Sequence, residues 1–168
     1  QRVALARALA PRPAVLLLDE PLSGLDWRLK DQVRVETLEI LRQSRSTAIV
    51  VTHDAEEAMR LGDDIALMRD GQLVQYGRPE ELYLNPVSLF AANFFSELNL
   101  FDARVRAGFA DTPVGKVQAA GLPDGASATV AVRLSGFDAG PDKPGSFQAR
   151  VLSRHYLGTV ELLNLAVS

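Results

Sequence analysis

Cysteine is absent from all 168 residues. That rules out a small secreted domain held by disulfides and is compatible with a reducing compartment. No apolar run approaches the roughly 20 residues that a membrane-spanning helix needs, and no signal peptide is visible at the start. Charge of one sign is also missing. The formal net charge is −3, so bulk electrostatics gives a nucleic-acid partner no support. No repeat and no low-complexity segment interrupts the chain. A start methionine is lacking as well. The sequence opens on Gln1-Arg2 and stops within the apolar LLNLAVS, so a piece of a longer protein is expected. What is plentiful is apolar side chain, 47% of residues, enough for one substantial core or two small ones.

The first 95 residues alternate helical and strand patterns. Arg2 to Leu9 has Val3, Leu5, Ala6 and Leu9 at helical spacing, and Pro11 and Pro13 end it. Val15 to Leu18 is a continuous apolar run, as in a parallel strand covered on both faces. Leu29 to Gln43 reads as an amphipathic helix, with Val33, Leu38 and Leu41 inside and Arg34, Glu36, Glu39 and Arg42 outside. Thr47 to Val51 is a second buried strand, and Asp54 opens a short helix over 55–61. Runs at 64–69 and 72–76 flank Asp70-Gly71, a hairpin signal, and two further helices follow at 80–84 and 88–95. Alternation of this kind predicts an α/β layer fold with a largely parallel sheet. After Phe95 the texture changes to glycine, proline and short β-like runs at 100–105, 129–133, 147–152 and 160–167. Residues 1–95 carry 11 basic and 14 acidic side chains, and residues 96–168 carry seven of each. A boundary is therefore expected near Glu97, with a small all-β barrel or sandwich beyond it.

VLLLDEPLSGLD, residues 15 to 26, ends a greasy strand on two acids. Open α/β sheets place ligands at the carboxyl ends of their strands. Neighbouring strand residues point to opposite sides, so Asp19 and Glu20 need not act on one atom. One acid can hold Mg²⁺, directly or through water. The other can orient and deprotonate a water aimed at a phosphate, a contribution of roughly 10²- to 10⁴-fold. A solvated acidic turn is the bland alternative. Ser23-Gly24-Leu25-Asp26 is a turn-forming run before a helix. Val50-Val51-Thr52-His53-Asp54 is a second strand ending in polar groups at a helix entrance. Parallel strands end on the same edge, so His53 can lie near Glu20 and donate a hydrogen bond to a terminal phosphate. A metal site through His53 and Glu57, one helical turn apart, lacks the second histidine that would support it.

QRVALARALAPRPAVLLLDEPLSGLD and VTHDAEEAMRLGDDIALMRDGQLVQYGRPEELYLNP resemble the C-terminal half of an ABC transporter ATPase. The likeness is to the subfamily that energises bacterial binding-protein-dependent importers, and it covers residues 1 to about 95. It implies a partial P-loop NTPase sheet, ATP and Mg²⁺ as cofactors, and the following roles. Asp19 is the Mg²⁺ ligand that ends the Walker B strand, Glu20 the catalytic base and His53 the switch histidine. Ser23, Gly24, Leu25 and Asp26 form the D-loop, and Gln1 and Arg2 fall just after the signature motif. The phosphate cradle is not supplied. No G-x-x-x-x-G-K-[ST] occurs, since Gly115-Lys116 is followed by Val117 and preceded at the needed position by Ala110. These 168 residues alone are accordingly expected neither to bind ATP tightly nor to hydrolyse it. Trp27 and Ser96 depart from the family, which usually has a small residue at the first position and commonly glycine at the second.

The resemblance continues into the tail. FFSELNLFDARV and ARVLSRHYLGTVELLNLAV fit a TOBE-type, OB-like β domain, although Leu134-Ser135 stand where the family has Pro-Glu. Arg154, His155 and Tyr156 form the one basic-aromatic cluster there, read as a packed β edge, and sparse aromatics speak against single-stranded nucleic acid. The implied partners are two membrane permease subunits, indirectly a solute-binding protein, and a second copy of the ATPase, at the cytoplasmic face of the bacterial inner membrane. The tail looks most like those of ferric-iron importers, with sulfate, molybdate, thiosulfate, polyamine and sugar importers as alternatives. An ABC-type ATPase of DNA repair or translation is the other alternative, and it lacks support because no coiled-coil, zinc or second-ATPase insertion appears.

Overall fold

The computed structural model describes the chain except for Gln1, Leu25, Asp26, Arg45, Asp142, Pro144 and Ser168, and except for the side chains of Arg2, 27–31 and Ser44. It divides into two compact units, Gln1–Phe95 and Ser96–Ser168. The first is α/β and the second is built of strands.

Unit one runs α1 (Arg2–Leu9), β1 (Val15–Asp19), α2 (Trp27–Ser44), β2 (Thr47–Val51), α3 (Ala55–Leu61), β3 (Ile65–Arg69), β4 (Gln72–Gly77), α4 (Pro79–Leu84) and α5 (Leu89–Phe95). Strands β1 and β2 pair in parallel with Leu17 opposite Ile49 and Asp19 opposite Val51, so both carboxyl ends share one edge. Parallel pairing stops there, because β3 and β4 form a separate antiparallel hairpin. At the hairpin tip Asp70 and Gly71 have φ of 51° and 76°. Two left-handed central residues make the type I′ turn whose twist matches the strands. The core gathers Ile65, Leu67, Leu82 and Ala91, with Phe90, Phe94 and Phe95 packed against it. Gln75, inside β4, uses its side chain as if it were backbone: the amide donates to Asn85 O at 3.0 Å and the carbonyl accepts from Val87 N at 3.1 Å. That clasp holds the segment between α4 and α5. No described helix is long and apolar enough to cross a membrane.

Two expectations need correction. The apolar run of β1 predicts burial on both faces, yet only one face is covered. Leu16 is buried, while Leu17 is 72% exposed and Ile49, opposite it, is 53% exposed. Side chains alternate across a strand, and nothing among the described residues covers the second face. Arg34, placed outside by its charge, is buried instead. It lies beside Val33 on the inward stripe of α2, and its guanidinium reaches Glu56 at 3.5 Å, the same carboxylate that holds Arg60 at 2.7 Å. Its aliphatic stem can be buried while its head is paired.

Unit two contains β5 (Leu98–Arg106), β6 (Phe109–Thr112), β7 (Gly115–Gln118), β8 (Ser127–Arg133), β9 (Ala149–Tyr156) and β10 (Glu161–Val167). The first four form an antiparallel sheet in the order β7-β6-β5-β8, and β9 and β10 form a hairpin. Ala103, Val105, Ala110 and Thr112 face inward. Neither β6 nor β7 is evident in the sequence. Each is four residues long and rich in polar side chains, and the Ala107-Gly108 turn between β5 and β6, with φ of 48° and 78°, lacks an Asn-Gly or Asp-Gly signature.

Candidate functional site: the shared edge of β1 and β2

The ladder between β1 and β2 runs one rung past the end of β1, where Glu20 N donates to Val51 O at 2.8 Å. There the regular strand stops. Glu20 has φ of +46°, a left-handed conformation uncommon outside glycine, and the next residue, Pro21, has no N–H to continue the ladder. The chain turns instead. Ser23 donates twice to Glu20 O, from its backbone N at 3.2 Å and its hydroxyl at 2.8 Å. Gly24, at φ +74° with open space around it, carries the turn onward.

This break in the strand redirects the second acid. On a regular strand Glu20 would point to the opposite face of the sheet from Asp19. Here its carboxylate reaches the end of the neighbouring strand. His53 meets a single oxygen, Glu20 Oε1, in two ways: its backbone N donates at 3.1 Å and its ring Nδ1 lies at 2.6 Å. An ionised carboxylate can only accept, so the imidazole is the donor and its proton sits on Nδ1. The His53 side chain is 83% exposed and that of Glu20 is 32% exposed.

Asp19 sits beside this pair, exposed, its carboxylate without a hydrogen bond or ion pair among the described residues. It lines, with Glu20 and Pro21, a cleft of about 350 Å³ walled by Leu5, Val33 and Thr37. A larger cleft, about 780 Å³, belongs to unit two and is lined by none of the residues singled out in the sequence. A free carboxylate at a strand's end suits Mg²⁺, which takes one or two protein carboxylates and keeps its other ligands as water or phosphate oxygen. Among the described residues no group of three or more His, Cys, Asp or Glu could hold a metal by itself. His53 and Glu57 do not form a site together. Glu57 is buried and its Oε2 accepts from the Thr52 hydroxyl at 2.8 Å.

The structure thus joins Glu20 and His53, sets Asp19 at the same edge, and places Ser23 and Gly24 in the turn behind Glu20. Gln1 and Asp26 lie outside the described residues. Sequence reasoning missed the support of His53, a network of Thr52, Asp54 and Glu57. Its one legible trace is Asp54 three residues before Glu57, the spacing of a helix capping box.

No family model matches the chain. It is 42% identical over 159 residues to the Fe(3+) ions import ATP-binding protein of Streptomyces coelicolor, an alignment covering 95% of this chain and 45% of the relative. It is 43% identical over 169 residues to the spermidine/putrescine import ATP-binding protein of Pseudomonas fluorescens, again covering 95% and 45%. The Fe(3+) ions import ATP-binding protein of Serratia marcescens aligns at 37% identity over 169 residues, covering 100% of this chain and 49% of the relative. The chain belongs to the family of ABC importer ATP-binding subunits. It spans about half the length of the curated relatives it matches. Those alignments run across both units of this importer-family chain. Among solved structures, an inward-facing metal-chelate type ABC transporter overlaps 77% of this chain and 43% of its own at 21% identity and a TM-score of 0.44, and that likeness carries no argument.

Proposed function

We propose that this chain is the hydrolytic-edge portion of an importer subunit that hydrolyses ATP, with residues 1–95 from the ATPase domain and 96–168 a TOBE-like β domain. One observation carries the reading: Glu20 and His53, from the ends of adjacent parallel strands, meet at 2.6 Å. Phosphoryl transfer asks for positioning and charge stabilisation more than for covalent chemistry. Glu20 orients the attacking water and takes its proton. His53 donates a hydrogen bond from Nδ1–H to Glu20 and so fixes both groups, and as an imidazolium it also presents an Nε2–H donor to the γ-phosphate. Asp19 holds Mg²⁺, which when bound neutralises charge on the phosphate oxygens. Ser23, Gly24 and Asp26 form the loop toward a second copy, and Gln1 follows the signature segment. The phosphate cradle comes from the part of the longer subunit that these residues do not include.

The subunit works as a homodimer beneath two permease subunits at the cytoplasmic face of the bacterial inner membrane. Closed two-fold symmetry lets each copy complete the other's site. ATP binding closes the pair and hydrolysis reopens it, driving uptake of solute delivered by a binding protein. For the solute we favour ferric iron, because relatives bearing that name align over 95% and 100% of the chain, tail included. A polyamine is the second reading, supported by an equally long alignment at 43% identity. Competing uptake of iron and spermidine in cells carrying the complete transporter separates the two. The central test is turnover by the full-length subunit. Glu20→Gln keeps an oxygen for His53 but removes the base, so hydrolysis should fall about 10²- to 10⁴-fold while ATP-driven dimerisation persists. Undiminished turnover in that variant refutes the assignment.

A further inference from the structure

We infer that Thr52, with Glu57 behind it, is a positioning residue for hydrolysis: the two brace the strand-to-helix corner from both sides of His53, so that its ring and its backbone N–H converge on one oxygen of Glu20. The inference rests on the proposed hydrolysis and deepens it.

The brace is a closed circuit. The Thr52 hydroxyl donates to Glu57 Oε2 at 2.8 Å and accepts from Asp54 N at 3.1 Å. Asp54 Oδ1 accepts from Glu57 N at 3.0 Å, capping α3. In the usual capping box the acid at the third helical position reaches back to the cap residue's own N–H. Here Thr52 stands between them, and the circuit reaches one residue further upstream. His53 lies inside it, the one residue of 52–54 whose side chain is left out of the loop. Fixing the peptides on both sides of His53 fixes the direction of its N–H and of its Cα–Cβ bond. Those two vectors are the ones that aim at Glu20 Oε1.

Glu57 shows that more than helix capping is at stake. It is 1% exposed, and no donor among the described residues reaches its Oε1. Burying a carboxylate with one oxygen unsatisfied is costly, and an apolar residue there would avoid the cost. What the carboxylate supplies at that site is an acceptor for Thr52. The fold therefore carries a desolvation penalty to hold a hydroxyl that touches neither Glu20 nor the ring of His53, and that acts only through the corner between them.

The test uses the full-length subunit, comparing Thr52→Val, which keeps shape and loses the hydroxyl, with Thr52→Ser, which restores it. A misplacement of about 1 Å can cost on the order of 10²-fold in rate, so Thr52→Val should lower kcat by between about 10- and 10²-fold with KM for ATP unchanged, and Thr52→Ser should recover it. In a Glu20→Gln background, single-turnover rates should show no further loss from Thr52→Val, because residues acting through one group are not additive. Glu57→Leu should mimic Thr52→Val, and urea midpoints report folding in each variant. If Thr52→Val leaves kcat intact while Glu20→Gln abolishes turnover, the positioning role is wrong and the proposed function stands. Equal losses in both backgrounds, or losses that track the urea midpoint, reduce the brace to plain structure and overturn the inference. A wild type without Glu20-dependent turnover overturns the proposed function and this role with it.

Discussion

Under the proposed hydrolysis, replacing His53 by alanine separates a catalytic contact from a structural one. The imidazole touches Glu20 Oε1 at 2.6 Å, but its side chain is 83% exposed. Exposed ion pairs contribute about 0.2–1 kcal/mol, and many contribute nothing measurable. The backbone N–H of residue 53 stays in place after the substitution, 3.1 Å from the same oxygen, so Glu20 keeps one of its two donors. The folding free energy of His53→Ala should therefore fall by less than about 1 kcal/mol. Hydrolysis is a different matter. A donor aimed at charge that develops in the transition state is worth about 10²–10³ in kcat, roughly 2.7–4 kcal/mol. The catalytic loss thus exceeds the folding loss by at least a factor of two. The assay pairs urea denaturation with ATP turnover on the same full-length preparation. Two results refute the reasoning: turnover within twofold of wild type, or a drop in folding stability above about 2 kcal/mol that accounts for the lost activity.

Substitutions at four further residues test packing, capping, turn geometry and surface pairing. Leu82 is fully buried in the core of unit one, so Leu82→Ala should cost about 2–5 kcal/mol, read from the urea midpoint of that unit. Asp54→Ala removes the acceptor for Glu57 N and should cost about 0.5–2 kcal/mol as an N-cap loss. Gly71 has open space around it but φ of +76°, so Gly71→Ala should cost about 1–2 kcal/mol through conformation alone, and Gly71→Asn should be milder. Arg154 and Glu161 pair across β9 and β10 at 3.0 Å on an exposed surface, and Arg154→Ala should leave the melting temperature nearly unchanged.

The legible parts of this protein are those where one physical signal dominates. The apolar runs of β1 and β2 locate both strands to the residue or nearly so, and Asp70-Gly71 locates the hairpin turn. Parallel pairing predicts that His53 and Glu20 share one edge, and the left-handed turn at Glu20 brings them into contact. Less was visible where two signals compete. The charge of Arg34 argues for solvent, but its place beside Val33 on the inward stripe wins because Glu56 is within reach. Strand β6 is set by register against β5 and β7 by register against β6, more than by their own composition. The Thr52–Asp54–Glu57 circuit depends on three side chains whose individual propensities say only that a helix begins.

The adjacency of two acids before a proline now has a physical reason. Strand geometry alone would send Asp19 and Glu20 to opposite faces, with neither near the next strand's end. A left-handed Glu20 changes that, at a cost of order 1–3 kcal/mol for a non-glycine residue. Conformations before proline are themselves restricted, which sharpens the cost. Four local interactions oppose it: the last ladder bond to Val51, the two bonds from Ser23, and the backbone donor from His53. At about 0.5–1.5 kcal/mol each, they suffice to hold the strained residue. Glycine at position 20 would adopt the turn without strain but would carry no carboxylate. The strained turn points one acid across to the imidazole while its neighbour stays at the strand end, the arrangement on which the proposed hydrolysis rests.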